Sequence, residues 1–412
     1  MRGFIRCATP GLVFGSGSVG RIPDLVAELG SDGGMPVLVL SDPGVSRTGL
    51  PGRIAAAIAA GGVPCRLLDT VPPEPTDVDL DGMVDSLRGN RIGLIVAVGG
   101  GSVIDAAKIL SVLVCQGGST RALADNGVTA RGLPCIAVPT TAGTGAEATP
   151  NAIVMFPEHN LKVGIVSRYF LPDRVVLDPE LSISLPPGLS ASTGLDALCH
   201  LLECFISKKA NPYSDMHARE GLRLVAGSLR PACRDGADIE ARSAMLLAAY
   251  YGGMCIAASG TTAVHALSYP LGGRYRIPHG IANAALLVPV MVAQVDSISG
   301  RLAEVARIMG LAATGTLPGV TSADQVPTRN GTDTAMDGTA AIDRCDAQAL
   351  VAGLRSLVAD LGVPTSLADL GIPAGDIPEL AEAAYGVRRL LDNNPVELDR
   401  GDIRRIYESM VP

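Results

Sequence analysis

A chain of 412 residues is too long for one ordinary hydrophobic core and fits two domains. With 47% apolar and 18% charged residues it can bury large cores, which argues against a disordered chain. A net charge of −8 with no basic block, no tryptophan and only 3% aromatics argue against nucleic acid and anionic membrane surfaces as partners.

In chain order, Val37–Leu40 is a short apolar strand ending at Ser41-Asp42. Leu50–Ala60, rich in Ala and Ile and stopped by Gly61-Gly62, predicts a helix. Cys65–Leu68 is the next strand and Val78–Leu87 the next helix. Leu94–Val98 is a continuous apolar strand, followed by a helix over Ser102–Val114. Cys135–Val138 and Val175–Leu177 are further buried strands. Continuous apolar strands separated by helices predict an α/β domain over residues 1–187, its parallel sheet covered on both faces.

After Leu185-Pro186-Pro187 the pattern changes. Ser192–Phe205, Ser214–Ser228, Ile239–Ala258, Ile281–Val295 and Ala347–Leu361 predict helices, with no alternating strand pattern. Residues 188–412 are therefore expected to form an all-helical domain, with the active cleft between the two. Residues 311–343, rich in Thr, Gly, Asp and Ala with little apolar periodicity, predict a long polar loop or insertion.

The longest strongly apolar stretch, Ala284–Ala293, is interrupted by Pro289 and is shorter than a bilayer requires. Pro10, Gly11 and Gly15 break any apolar signal core near the N-terminus, so the cytoplasm is the expected compartment. Nine irregularly spaced cysteines without a C-x-x-C pair fit reduced thiols better than a disulfide framework.

Three segments sit where strands end and ligands bind in open parallel sheets. Gly99-Gly100-Gly101 leaves a strand and enters a helix, with Ser102 as its expected cap. The glycines let a pyrophosphate approach the backbone, although the run is not G-x-G-x-x-G and also suits an ordinary tight turn. Asp105, in the helix that follows, is grouped with these cofactor residues. Pro139–Glu147 follows another buried strand and offers the hydroxyls of Thr140, Thr141 and Thr144. Asp42 ends the first strand. A carboxylate there accepts bonds from an adenosine ribose and repels a 2′-phosphate, or simply forms the turn before Pro43-Gly44.

Of five histidines, three fall in apolar, Gly- and Pro-marked helix ends of the second half. Asp196 and His200 are four residues apart, so both face one way on a helix. His265 is placed near the end of a helical run, five residues before Pro270, and His279 opens the next apolar helix. Singly, each suits a structural role. Together, one carboxylate and three imidazoles make a complete set for a borderline ion such as Fe²⁺ or Zn²⁺.

These motifs resemble the iron-dependent (group III) alcohol dehydrogenase family, with its dehydroquinate synthase-like fold. The likeness is carried by G-G-G-S-V-I-D-A-A-K (99–108), P-T-T-A-G-T-G-A-E (139–147) and V-V-L-D-P-E-L (175–181). It continues through T-G-L-D-A-L-C-H (193–200), the 265–284 segment with its two histidines, L-L-D-N-N-P (390–395) and D-I-R-R-I-Y (402–407). The resemblance implies a Rossmann-like N-terminal domain, an all-helical metal-binding domain and a homodimer. It implies NAD(H) as cofactor, one divalent metal with Fe²⁺ ahead of Zn²⁺, and hydride transfer to or from a small alcohol/aldehyde pair. Carried over by position, the metal ligands are Asp196, His200, His265 and His279. Gly100, Gly101 and Ser102 would hold the pyrophosphate, Thr140, Thr141 and Thr144 would line the cofactor, and Lys162 would lie near its ribose. Asn151 would sit beside the nicotinamide and substrate, and Asp42 at the position linked to preference for NAD over NADP.

Two departures stand out. Many family members have a histidine, a candidate proton relay, where this chain has Tyr269, and residues 311–343 exceed the usual connection. The alternatives are a glycerol dehydrogenase-like or dehydroquinate synthase-like enzyme of the same architecture, or a non-catalytic dinucleotide-binding protein. No dense Lys/Arg/His set for a polyanionic substrate is apparent in the helical half, and all four ligand positions are filled. Finally, Arg274 and Arg276 lie between two ligands. If that segment is extended, both could face the cleft and select an acidic substrate; otherwise they are surface residues.

Overall fold

A computed structural model describes residues 9–30, 34–159, 161–313 and 334–412. Its strands are β1 (Gly11–Phe14), β2 (Val37–Ser41), β3 (Cys65–Leu68), β4 (Leu94–Gly99), β5 (Cys135–Pro139), β6 (Asn151–Phe156), β7 (Leu161–Val166) and β8 (Arg174–Leu177). Six of them make one parallel sheet in the order β1-β8-β5-β4-β2-β3. The apolar runs alternate between two cores. Val37, Val39, Leu94, Val96, Val98, Ile136 and Val138 pack on one face with Ile54 and Ile58, whereas Leu38, Leu40, Ile95 and Ala97 join a core continuous with the helical half. Both faces are apolar, so the period of two is invisible in composition.

The helices of this half are α1 (Ile22–Leu29), α2 (Pro43–Ser46), α3 (Leu50–Ala60), α4 (Asp77–Leu87), α5 (Gly101–Gln116) and α6 (Thr120–Asn126). From β2 the chain runs outward to β3 and returns to β4 on the other side of β2. The carboxyl ends of β2 and β4 thus flank the reversal point where such sheets bind ligands. β6 and β7 form a separate antiparallel hairpin that sequence periodicity does not reveal. α5 also differs at its start: Gly100 is its cap, and the Ser102 hydroxyl lies inside the first turn, accepting the Glu74 N–H at 3.1 Å.

The second half contains α7 (Pro187–Ile206), α8 (Pro212–Arg234), α9 (Ile239–Ser259), α10 (Ala263–Tyr275), α11 (His279–Gln294), α12 (Ser299–Ile308), α13 (Thr334–Asp360), α14 (Ile377–Tyr385), α15 (Arg388–Leu391) and α16 (Arg400–Glu408). α7 has the length and apolarity to cross a membrane, but its most apolar window is 89% buried within the protein. The predicted loop over 311–343 is corrected in part. Its stretch 314–333 lies outside the described residues, but from Thr334 the chain is helical, and Arg307 binds Asp343 and Asp346 to hold that helix against α12. His265 is likewise placed differently: it lies in the first turn of α10, after a 105° bend from α9, and Pro270 is inside α10.

The two halves meet backbone to backbone at Gly145 and Gly253. A Cβ on Gly253 would lie 2.1 Å from the Gly145 carbonyl oxygen, and one on Gly145 (φ +58°) would lie 2.5 Å from the Gly253 nitrogen. Only glycine fits at either position.

Candidate metal centre and cofactor cleft

The spacing of α7 sets up the centre. Asp196, His200 and Glu203 fall on one helical face, and none is more than 4% exposed. α10 brings His265 and α11 opens with His279, so the four ligand atoms lie within 4.8 Å of one another. The Asp196 Oδ1 is 3.8 Å from His200 Nε2 and 3.7 Å from the Nε2 atoms of both His265 and His279. Ligands about 2.1 Å from a shared tetrahedral ion would be roughly 3.4 Å apart, so the spacing suits a divalent cation.

The surroundings orient the ligands. His200 Nδ1 donates to the Gly143 carbonyl at 3.3 Å, leaving its Nε2 lone pair directed to the centre. His265 Nδ1 donates to the Glu203 carboxylate, whose other oxygen accepts from the Thr262 N–H (3.1 Å), the Thr262 hydroxyl (2.7 Å) and the Val264 N–H (2.7 Å). Carboxylate–histidine pairs of this kind fix tautomer and raise ligand basicity. Asn283 Nδ2 donates to Asp196 Oδ1 at 2.7 Å and lies 3.1 and 3.2 Å from the Nε2 atoms of His265 and His279. Its Oδ1 is buried with no hydrogen-bond partner among the described residues. An orphaned oxygen beside an acid-plus-imidazole set is a second sign that a polar group belongs here.

Burial disfavours charge throughout the centre. It holds His200 and His279 below the ordinary imidazole range despite the attraction of Asp196. At Asp196 burial also works against charge, but the three imidazoles and Asn283 prevail and keep the carboxyl below its usual range. At His265 burial is outweighed by Glu203, and the imidazole is raised. Neutral His200 and His279 facing an ionised Asp196 are the protonation states a cation needs.

A cavity of about 480 Å³ lies between this centre and the start of α5. Gly101, Ser102, Asp105, Thr144, Asn151, Lys162 and Tyr269 line it together with the three ligand histidines. Asp42, Gly99, Gly100, Thr140 and Thr141 are not on that lining; they build the turn behind it. A Cβ on Gly99 would lie 2.5 Å from Val103, and one on Gly101 2.8 Å from Thr144. The glycines are thus demanded by packing, and they leave the start of α5 without a side-chain cap. Free N–H groups at a helix start suit a pyrophosphate.

Asp42 Oδ1 caps α2 through Gly44 N–H (2.7 Å) and Val45 N–H (3.0 Å), so the turn-forming role is real, and its Oδ2 faces Gly99. Asp105 accepts from Lys108 (3.1 Å) and the Ile153 N–H (3.0 Å), pinning α5 to β6. Lys162 binds Glu74 at 2.6 Å. Glu74, a cleft residue that sequence reasoning missed, has φ +50°, a strained backbone signalled by nothing local. Tyr269 is 8% exposed, its ring 6.2 Å from that of His279.

The arginine expectation is corrected. α10 continues to Tyr275, so Arg274 and Arg276 are not on one face of an extended segment. Arg274 binds Glu379 and Asp376 on the surface, and Arg276 (φ +55°) ends the helix, exposed. The cation that borders the cleft near Tyr269 is Arg389.

Comparison with known proteins gives a consistent result. Residues 9–179 match the family model "Iron-containing alcohol dehydrogenase", and residues 190–411 match "Fe-containing alcohol dehydrogenase family, C-terminal". The chain is 34% identical over 399 residues to long-chain-alcohol dehydrogenase 1 of Geobacillus thermodenitrificans, covering 95% of this chain and 93% of that protein. A solved 1,3-propanediol oxidoreductase superposes with TM-score 0.87 at 30% identity, over 99% of this chain and all of the other. Sulfoacetaldehyde reductase from Bifidobacterium kashiwanohense, solved with NAD⁺, superposes with TM-score 0.83 at 28% identity, over 99% of each chain.

Proposed function

The chain belongs to the iron-containing alcohol dehydrogenase family of NAD-dependent oxidoreductases, and from that premise we propose how its cleft interconverts a small alcohol and its aldehyde. Asp196, His200, His265 and His279 would hold one divalent ion, Fe²⁺ before Zn²⁺. When bound, the ion supplies Lewis-acid polarisation of a substrate oxygen and the dinucleotide supplies the hydride chemistry. Gly99, Gly100, Gly101 and Ser102 would receive the pyrophosphate at the start of α5. Thr140, Thr141 and Thr144 would border the cofactor, and Lys162, steadied by Glu74, would meet its ribose. Asp42 would accept from the adenosine ribose and favour NAD(H). Asn151, whose carbonyl holds Lys108, opens the hairpin on the substrate side.

The observation that carries this reading is the grouping of four ligand atoms beside a cavity that is lined both by the ligand histidines and by Gly101 and Ser102 at the start of α5. The test is turnover with NADH and a panel including 3-hydroxypropanal, long-chain aldehydes and sulfoacetaldehyde, before and after metal removal and Fe²⁺ return. No turnover by the Fe²⁺- or Zn²⁺-loaded protein on any member would overturn it.

We also propose a homodimer in the cytoplasm. Support for the dimer comes from β1, an edge strand whose Leu12 and Phe14 are each 42% exposed. Analytical ultracentrifugation of the natural protein and of Phe14→Lys tests the assembly; a monomeric natural protein would refute it.

A further inference from the structure

Arg389 brings a cation to the cleft that no carboxylate neutralises among the described residues. Its neighbour Arg388 pairs with Asp392. Within the cavity, Lys162 is paired with Glu74, and Lys108 is buried behind the wall against Asp105 and backbone carbonyls. Lys209 also borders the cavity, in the turn after α7. Arg389 has a defined seat. Its Nη2 lies over Gly164 of the β6–β7 hairpin, where a Cβ would come within 2.9 Å.

From that seat Arg389 lines the cavity together with Tyr269, and its charge acts on the phenol. A guanidinium has donors only, and the Tyr269 hydroxyl hydrogen has no acceptor among the described protein groups. Tyr269 is 8% exposed and lines the cavity beside His279. Burial raises the phenol above its ordinary range, against the opposing influence of Arg389, so it keeps its hydrogen near neutral pH. Two donors, one of them charged, therefore line the cavity that the three ligand histidines also line.

We propose that Arg389 and Tyr269 form an oxyanion subsite, and that the preferred substrate is an aldehyde or alcohol carrying a carboxylate, sulfonate or phosphonate a few atoms from the reacting carbon. This rests on the metal-centred hydride transfer described above. A guanidinium and a hydroxyl side by side match the paired oxygens of such groups, whereas a neutral aliphatic chain leaves both donors unpaired in the cleft.

The experiment compares butanal with 4-oxobutanoate, and propanal with sulfoacetaldehyde, for the natural protein and for Arg389→Gln, Arg389→Lys and Tyr269→Phe. Arg389→Gln should lower kcat/KM on the acidic members at least tenfold and on the neutral ones less than twofold. Arg389→Lys should recover part of the loss, since it keeps charge but not the fork. Tyr269→Phe should lower the acidic members severalfold without moving the pH profile for butanal. Calorimetric titration of succinate, an unreactive dianion, into the NADH complex should show binding that Arg389→Gln abolishes while the NADH dissociation constant stays the same. Equal losses on neutral and acidic aldehydes, or weakened NADH binding in Arg389→Gln, would overturn the subsite. So would a shifted butanal pH profile in Tyr269→Phe, which would make the phenol a proton donor to the reacting oxygen. If no aldehyde turns over, hydride transfer itself fails, and the succinate titration still decides the subsite.

Discussion

Glu203 accepts the Nδ1 hydrogen of His265 from a position one helical turn beyond His200, so the helix that supplies two metal ligands also steadies a third. Glu203→Gln keeps the shape and an acceptor for Thr262 and Val264 but removes the charge. Metal affinity should fall 10- to 100-fold, the usual effect of losing such a partner. Metal content after dialysis against graded chelator measures it; unchanged affinity would reduce Glu203 to a packing role.

His279→Ala should leave less than one-tenth of the natural metal content and lower kcat by more than a hundredfold. Chelation of the natural protein should lower Tm by several degrees, because an ion present at about a thousand times its Kd contributes roughly 4 kcal/mol to the folded state. Full turnover by metal-free His279→Ala would refute the assignment of the four ligands.

Asp42 has two oxygens with separate duties, one capping α2 and one facing Gly99. Asp42→Asn keeps the cap and removes the charge. Its kcat/KM with NADPH should rise about tenfold, or roughly 1.4 kcal/mol, with Tm little changed. A natural preference for NADPH would show that Asp42 does not face the 2′ position.

Glu147 is 2% exposed, and burial raises its carboxyl from 4.5 to about 7. Between those values the folded chain holds a proton that the unfolded chain has lost, so this group's contribution falls as pH rises and levels off above 7. Glu147→Gln stays neutral throughout. Its stability relative to the natural protein should grow by about 3 kcal/mol from pH 4.5 to pH 8. Denaturant titrations at both pH values measure this; an equal difference at both would show that Glu147 carries no such linkage.

The main sheet was legible because its strands are apolar on both faces, and the metal set because Asp196 and His200 share a helical face. The β6–β7 hairpin was not. Residues 152–156 are all apolar, so the alternation of burial along β6 leaves no trace in composition. β1 is four mostly exposed residues that become a strand by pairing with β8. Glu203 and Arg389 have no local signature, since one depends on where α10 starts and the other on a glycine in β7. Arg274 and Arg276 misled because the helix runs past His265 and Pro270 to Tyr275. Pro270 is the eighth of the thirteen residues of α10, and the helix continues through it although a proline lacks the N–H for one helical bond.

The contact between Gly145 and Gly253 sets how closely the two halves approach at this point. The glycine-rich turn and the metal ligands belong to different halves, and the chain joins those halves here backbone to backbone. A methyl group at either glycine would have to push the two backbones apart. The reach between a bound dinucleotide and the metal ligands is thus set, in part, by two side chains that are not there.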